Sequence, residues 1–408
     1  MYCLVCKKPI TSTIGSTTRG TTRLCPEHDQ LFRDISSLKK AKQDFFGASP
    51  NIFVGRFGYP AINVGMLSNE DITSEHDNPK AWASQNYTIP DIIARRTDLI
   101  NSRFRTNIKT FSDKLLEITQ EVAMAHQPVD VEINLAKPPS FSFSFGAEIT
   151  PYGPAVELKK AAITQNPKIP RAVETLVADT DAKATSAIHE LYDSRIDEYH
   201  LTKLLSAGTL GQQTQRRLVP TRWAITAVDD ILAKRTTQKI TAYDTAPYHA
   251  HFGGYLGNYF LVLFFEGVWS YELFEVYVPD NQDKQDVHAT TDHETHFGRK
   301  DYAQETAGGY YAARLSVAQH LEKKREQAGA LVLRFITAEY WAPLGVWVVR
   351  EAVRKALQEK PRLFDTPEAL LLFAKTLALQ KFRVRLQGLL SKSILLRERK
   401  QQKRLSDF

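Results

Sequence analysis

The 408-residue sequence predicts an α/β or α+β protein, with a mixed-sheet body, flanking helices, a small N-terminal module and a helical C-terminus. Three observations predict it. Cysteine and histidine are paired near the start, short apolar runs such as FLVLFF at 260–265 alternate with amphipathic stretches, and residues 361–401 carry few helix breakers. The expected division is 1–47 for the N-terminal module and its helix, 48–360 for the body with a sub-boundary near 150–170, 361–401 for the helical region and 402–408 for a tail peptide.

Composition narrows the class. A hydrophobic fraction of 43% supports a buried core, and 53 Lys+Arg against 46 Asp+Glu leave a net charge of +7. That excess is mild, so it favours a nucleic-acid partner only if the charges cluster on one face. No apolar run reaches bilayer-crossing length, and MYCLVCKKPI lacks a signal-peptide core, which together predict a cytoplasmic protein. All three cysteines fall within the first 25 residues, pointing to a local site rather than a disulfide framework.

Cys3, Cys6, Cys25 and His28 follow the pattern C-x2-C-x18-C-x2-H. Two close pairs separated by a loop suit tetrahedral zinc, and four protein ligands leave no position for water, so the zinc is expected to be structural. The intervening loop is polar and poor in core formers; the alternative is a pair of unligated or redox thiols. Leu31, Phe32, Ile35 and Leu38 predict a helix within 29–47. Asn51 to Leu67 reads as strands interrupted by Gly55, Gly58 and Gly65.

Residues 79–125 read as helical, with Arg95, Arg96, Arg103 and Arg105 forming either a solvated face or a phosphate track. From Val129 the period is two: Val129, Val131 and Ile133 alternate with acids, and Phe141, Phe143 and Phe145 alternate with serines. Both runs suit strands with one buried face, the aromatics serving as core or as a base-stacking platform. Turns at 150–155 and 166–170 precede helices over 181–207.

Gly208 to Asp230, GTLGQQTQRRLVPTRWAITAVDD, is the chemically densest segment. Its first half, 208–217, reads as a ligand-facing loop, and across the segment Arg216, Arg217, Arg222 and Trp223 are candidates for phosphate and nucleic-acid binding. Ala224 to Val228 reads as a helix or short strand ending at Asp229 and Asp230, and a structural ion network between these arginines and acids is the alternative. Tyr259 to Phe265 and Glu272 to Val278 predict two strands of a central sheet, with His249, His251 and Trp269 near strand ends. Glu272 and Glu275, with Asp229 and Asp230, are candidate catalytic carboxylates for metal-assisted or acid/base chemistry.

Residues 280–303, with His288, His293 and His296, read as a polar surface loop. Gly308 to Arg325 predicts an amphipathic helix, ALVLRFIT a buried strand, and the stretch after Pro343 a helix with Arg350 and Glu351 among apolar neighbours. A last helix starts at the Asp365-Thr366-Pro367-Glu368 cap and continues toward a basic end.

Three stretches, RRLVPTRWAITAVDD, NIFVGRFGYPAINVGML and WAPLGVWVVREAVR, resemble the archaeal Nre family of DNA-repair proteins, and the resemblance covers essentially the whole chain. It implies a role in the DNA damage response and binding to the sliding clamp PCNA through a C-terminal peptide. Gln402, Leu405 and Phe408 resemble that peptide, with one aromatic where the usual motif has two. The leading expectation is DNA repair coupled to the clamp, with the body binding DNA. The alternatives are a metal-dependent enzyme acting on nucleic acid or nucleotide phosphoesters, and a non-catalytic repair adaptor.

Overall fold

From Asp44 onward, apolar residues at every second position build a ladder that closes on itself. The computed structural model describes residues 42–140, 153–279 and 287–401. Cys3, Cys6, Cys25, His28, Phe141, Phe143, Phe145, Gln402, Leu405 and Phe408 lie outside the described residues. Five strands, β1 (Asp44–Val54), β2 (Ala61–Asn69), β3 (Ile100–Asn107), β4 (Val129–Leu135) and β5 (Ala155–Ile163), form a barrel in the order β1-β2-β3-β5-β4, closed by β1 on β4. β3 and β5 run parallel and every other pair is antiparallel. Ile52, Val54, Ile62, Val64, Met66, Phe104, Val131 and Ile133 fill the interior. Helices α1 (Pro79–Ser84) and α2 (Ile89–Asp98) precede β3. Helix α3 (Lys114–Met124), capped by Asp113 on the Leu115 and Leu116 amides, joins β3 to β4 and adds Leu116 and Val122 to the same core. This order, pairing and interposed helix are those of an OB-type barrel.

The helical reading of 79–125 holds for α1, α2 and α3 but fails between them. Residues 100–107 form β3 because Ser102, Phe104 and Thr106 turn inward in alternation and β2 and β5 are available on either side. Arg103 and Arg105 therefore project together from a strand, outward.

Helices α4 (Arg171–Ala178), α5 (Ala184–Asp193) and α6 (Glu198–Ser206) lead to the loop of the central segment and then to α7 (Thr221–Ile240). The element expected to end at Asp229 and Asp230 instead runs on to Ile240, so both acids sit mid-helix, where Lys234 pairs with Asp230 one turn on at 2.6 Å. Two compact units divide there: one runs to Val228 and includes Trp341–Leu344, the other comprises Asp229–Tyr340 and the chain from Gly345. Residues 153–170 belong to the first unit, where β5 pairs with both β3 and β4.

In the second unit a short pair, β6 (Asp244–Thr245) with β11 (Glu326–Gln327), accompanies a six-stranded sheet. Its strands are β7 (His249–Tyr255), β8 (Asn258–Phe265), β9 (Ser270–Tyr277), β10 (Ala289–Glu294), β12 (Gly329–Ile336) and β13 (Arg362–Leu363), in the order β10-β9-β12-β8-β7-β13. Only β9 and β12 are parallel neighbours. β8 is apolar at nearly every position because both of its faces are covered. Leu261, Leu263 and Phe265 meet Leu370, Ala374 and Ala378 of α10 (Pro367–Phe382). On the other face, α8 (Ala307–Lys324) and α9 (Trp347–Gln358) pack together, and Gly253 of β7 lies so close to Ala356 that a Cβ would sit 2.8 Å from its Cα.

Two further expectations are corrected. The surface loop at 280–303 contains β10, held by β9 and by interior partners of the buried Asp292 and Glu294. The C-terminal helix breaks at Arg383, which is left-handed at φ 55°, so that Val384 and Leu386 enter the core before α11 (Gln387–Leu390) and α12 (Ile394–Gln401). Among the described residues no helix is long and apolar enough to cross a membrane.

Candidate functional site

The barrel's outer face is set by the register of β2 on β3. Ala61 stands opposite Asn107, Asn63 opposite Arg105 and Gly65 opposite Arg103, and these positions alternate with the core residues Ile62, Val64 and Phe104. Gly65 admits no side chain, since a Cβ would lie 2.2 Å from the Ser102 carbonyl oxygen, so the surface beside Arg103 is shallow. Glu157 of β5 is the register neighbour of Arg103. Among the described residues neither the Arg103 nor the Arg105 side chain is ion-paired or hydrogen-bonded. Two guanidiniums so placed are available to a ligand's phosphates.

The β1–β2 loop, GRFGYP at 55–60, borders that face. Gly58 turns it at φ 82°, where a Cβ would meet the Ala61 carbonyl oxygen at 2.8 Å. The loop exposes Phe57 at 79% and Tyr59 at 44%, and Arg56 lies 5.0 Å from the Phe57 ring centroid. Thr221 Oγ1 accepts from the Val54 amide at 3.0 Å, which fixes the first turn of α7 at the end of β1. Trp223 in that turn is 45% exposed and its ring centroid lies 5.5 Å from that of Tyr59. Three large aromatics in water on one rim are a departure from ordinary surface composition. Beside basic groups they suit the faces of unpaired bases.

The sequence candidates separate accordingly. Trp223 and Arg222 stand at the barrel rim, and Arg217 is exposed beside the end of β3, where the Leu218 amide donates to Ile108 O. Arg216 is structural: it donates to the carbonyls of Gly211, Val177 and Asp179 at 2.7 to 2.8 Å. Arg95 stacks on Tyr87 at 4.2 Å, and Arg96 is buried against Asp77 and the Leu344 carbonyl.

The four carboxylates do not converge. Asp229 takes both oxygens to Arg350 at 2.5 and 2.7 Å, with both residues buried. Asp230 is held by Arg314 at 3.0 Å and by Lys234, and Arg314 continues to Glu294 at 2.8 Å. Glu275 pairs with Arg334 at 2.5 Å. Glu272 accepts from Ser393 Oγ and from the Ile394 and Leu395 amides, serving the start of α12. Each acid has its own structural partners, and of these only the Asp230–Lys234 pair, one helical turn apart, is announced by spacing in the sequence.

One set of potential metal ligands does converge among the described residues: His249, His251 and His320. Burial pushes all three imidazoles below the ordinary histidine range, His320 to about 3.

The chain matches family models along most of its length, "Archaeal Nre, N-terminal" over residues 21–282 and "Archaeal Nre, C-terminal" over 294–408. It belongs to the archaeal Nre family. It is 36% identical over 346 residues to the DNA repair protein NreA of Haloferax volcanii, covering 81% of this chain and 82% of that protein. It is 37% identical over 358 residues to the DNA repair protein NreB of Archaeoglobus fulgidus, covering 86% and 88%. No solved structure matches. The N-terminal Nre match takes in the whole barrel, and the C-terminal match takes in α8, β12 and α9.

Proposed function

We propose that this chain is a DNA-repair protein that holds single-stranded DNA across the outer β2–β3 face of its barrel. The observation that carries the reading is the juxtaposition of Arg103 and Arg105 with the exposed Phe57, Tyr59 and Trp223. Guanidiniums neutralise phosphates while aromatic rings stack on bases, a combination that tolerates any sequence and excludes a stacked duplex. OB-type barrels use this same face for oligonucleotides. The DNA-repair role is supported by the relatives that carry that name.

Two further parts of the reading come from the sequence. Cys3, Cys6, Cys25 and His28 hold a structural zinc, and Gln402, Leu405 and Phe408 dock on PCNA from a basic tail, in a cytoplasmic protein. Phe408→Ala should remove about 2 kcal/mol or more of clamp affinity, because a buried aromatic anchors such peptides. A catalytic assignment for Asp229, Asp230, Glu272 and Glu275 draws no support from their separate structural partners.

The test is fluorescence anisotropy with a labelled oligothymidine. Arg103→Ala/Arg105→Ala should weaken binding by at least roughly tenfold, as each charge-assisted contact is worth about 1.5–3 kcal/mol. Unchanged affinity in a folded double variant contradicts the assignment.

A further inference from the structure

His249 and His251 lie two apart on β7, so both rings leave the same face of the sheet. α8 covers that face and brings His320 to them, with ring centroids 5.0 Å apart for His251 and His320 and 5.5 Å for His249 and His251. Phe264 of β8, the register partner of His249, stacks on His249 at 4.5 Å and on His320 at 5.8 Å, holding both planes.

Hydrogen bonding then fixes which nitrogens face inward. His249 Nδ1 lies 2.7 Å from the Pro247 carbonyl oxygen, and His251 Nδ1 lies 2.9 Å from that of Glu359. A carbonyl only accepts, so each Nδ1 carries the proton and each Nε2 is left with a lone pair. Among the described residues no protein group donates to either Nε2, and the His320 ring makes no hydrogen bond. One ligand atom from each residue lies within 4.8 Å of the other two.

We infer that His249, His251 and His320 form a binding site for a first-row divalent metal such as zinc, with one coordination position left open. The donor set supports it: three neutral imidazoles suit Zn, Co, Ni or Cu rather than Mg or Ca, and three protein ligands leave a fourth place for water or a ligand. The Pro247 and Glu359 carbonyls supply the outer hydrogen bonds that orient metal-binding imidazoles. Tetrahedral zinc would draw the nitrogens to about 3.3 Å apart, given Zn–N bonds of about 2.0–2.1 Å. His320 is half-buried and lies in the last turns of α8, so it is the ring that would move. Burial disfavours protonation of all three rings, and the neighbouring Lys324 adds to it. The site is independent of the DNA-binding reading, since it lies wholly in the sheet-containing unit.

The experiment is cobalt loading of untagged, full-length Cys25→Ser protein, which removes the thiolate site from the measurement. One equivalent of Co2+ with ligand-field absorption typical of tetrahedral nitrogen coordination, and no thiolate charge-transfer band, is expected. His320→Gln on that background should lose the equivalent, with circular dichroism unchanged. Should His320→Gln fail to fold, the parent decides: no cobalt uptake by Cys25→Ser protein overturns the site. Uptake that survives in folded His320→Gln overturns it equally.

Discussion

Arginine does opposite work in the interior of the sheet-containing unit and on the outer face of the barrel. In the sheet-containing unit Arg314, Arg334 and Arg350 are buried and each meets a carboxylate within about 3 Å, Glu294, Glu275 and Asp229 in turn. On the barrel, Arg103 and Arg105 project from a strand and meet no carboxylate partner among the described residues. A buried guanidinium without a partner is prohibitively unstable, whereas an exposed one is already solvated and loses little by waiting for phosphate. Pairing thus separates charges that hold the fold from charges available to a ligand.

The largest effect should come from removing a buried partner. Arg350→Ala leaves Asp229 buried and uncompensated, and should lower stability in urea unfolding by about 3–5 kcal/mol. DNA affinity of the remaining folded protein should hold. A loss of DNA binding with stability intact would erase the contrast between the units.

Next comes a pH effect within the barrel unit. Burial, with Lys203 nearby and Asp197 opposing, pushes His200 down to about 4. Its Nε2 donates to the Met124 carbonyl at 3.0 Å while the ring is neutral. Because the folded value lies below the unfolded one, this stability is fully present above about pH 6.5 and is lost as the pH falls toward about 4, on the order of 3 kcal/mol in all. His200→Gln should flatten that part of the stability profile.

Smaller still are the rim aromatics. Trp223→Ala and Phe57→Ala should each cost about 1–3 kcal/mol of single-strand affinity through lost stacking, with stability changed by less than about 1 kcal/mol. The smallest change sharpens the contrast from the other side. Asp113→Ala removes the cap of α3 and should cost about 1 kcal/mol of stability with no change in DNA binding.

Much of the sheet was legible because its signals are local. FLVLFF announces a strand covered on both faces, and the Gly308 to Arg325 pattern announces α8. Reading Ile100 to Asn107 as helix missed the alternation of Ser102, Phe104 and Thr106 with Arg103, Arg105 and Asn107, which gains meaning only once β2 and β5 flank it. The candidate site was legible in part: Arg222 and Trp223 were singled out, but their neighbour Tyr59 lies more than 160 positions earlier. His249 and His251 are visible as a same-face pair, whereas His320 joins them only through the packing of α8. The carboxylates misled for the same reason, since Arg350, Arg314 and Arg334 are distant in the chain from the acids they neutralise.

The central claim is that Arg103 and Arg105 contact phosphate, and the salt dependence of oligothymidine binding tests it most directly. Each phosphate contact to a single strand contributes about 0.7 to the slope of log affinity against log salt concentration. Arg103→Ala/Arg105→Ala should therefore reduce the magnitude of that slope by about 1.4 relative to the unmodified chain. An unchanged slope in the folded variant would contradict the account.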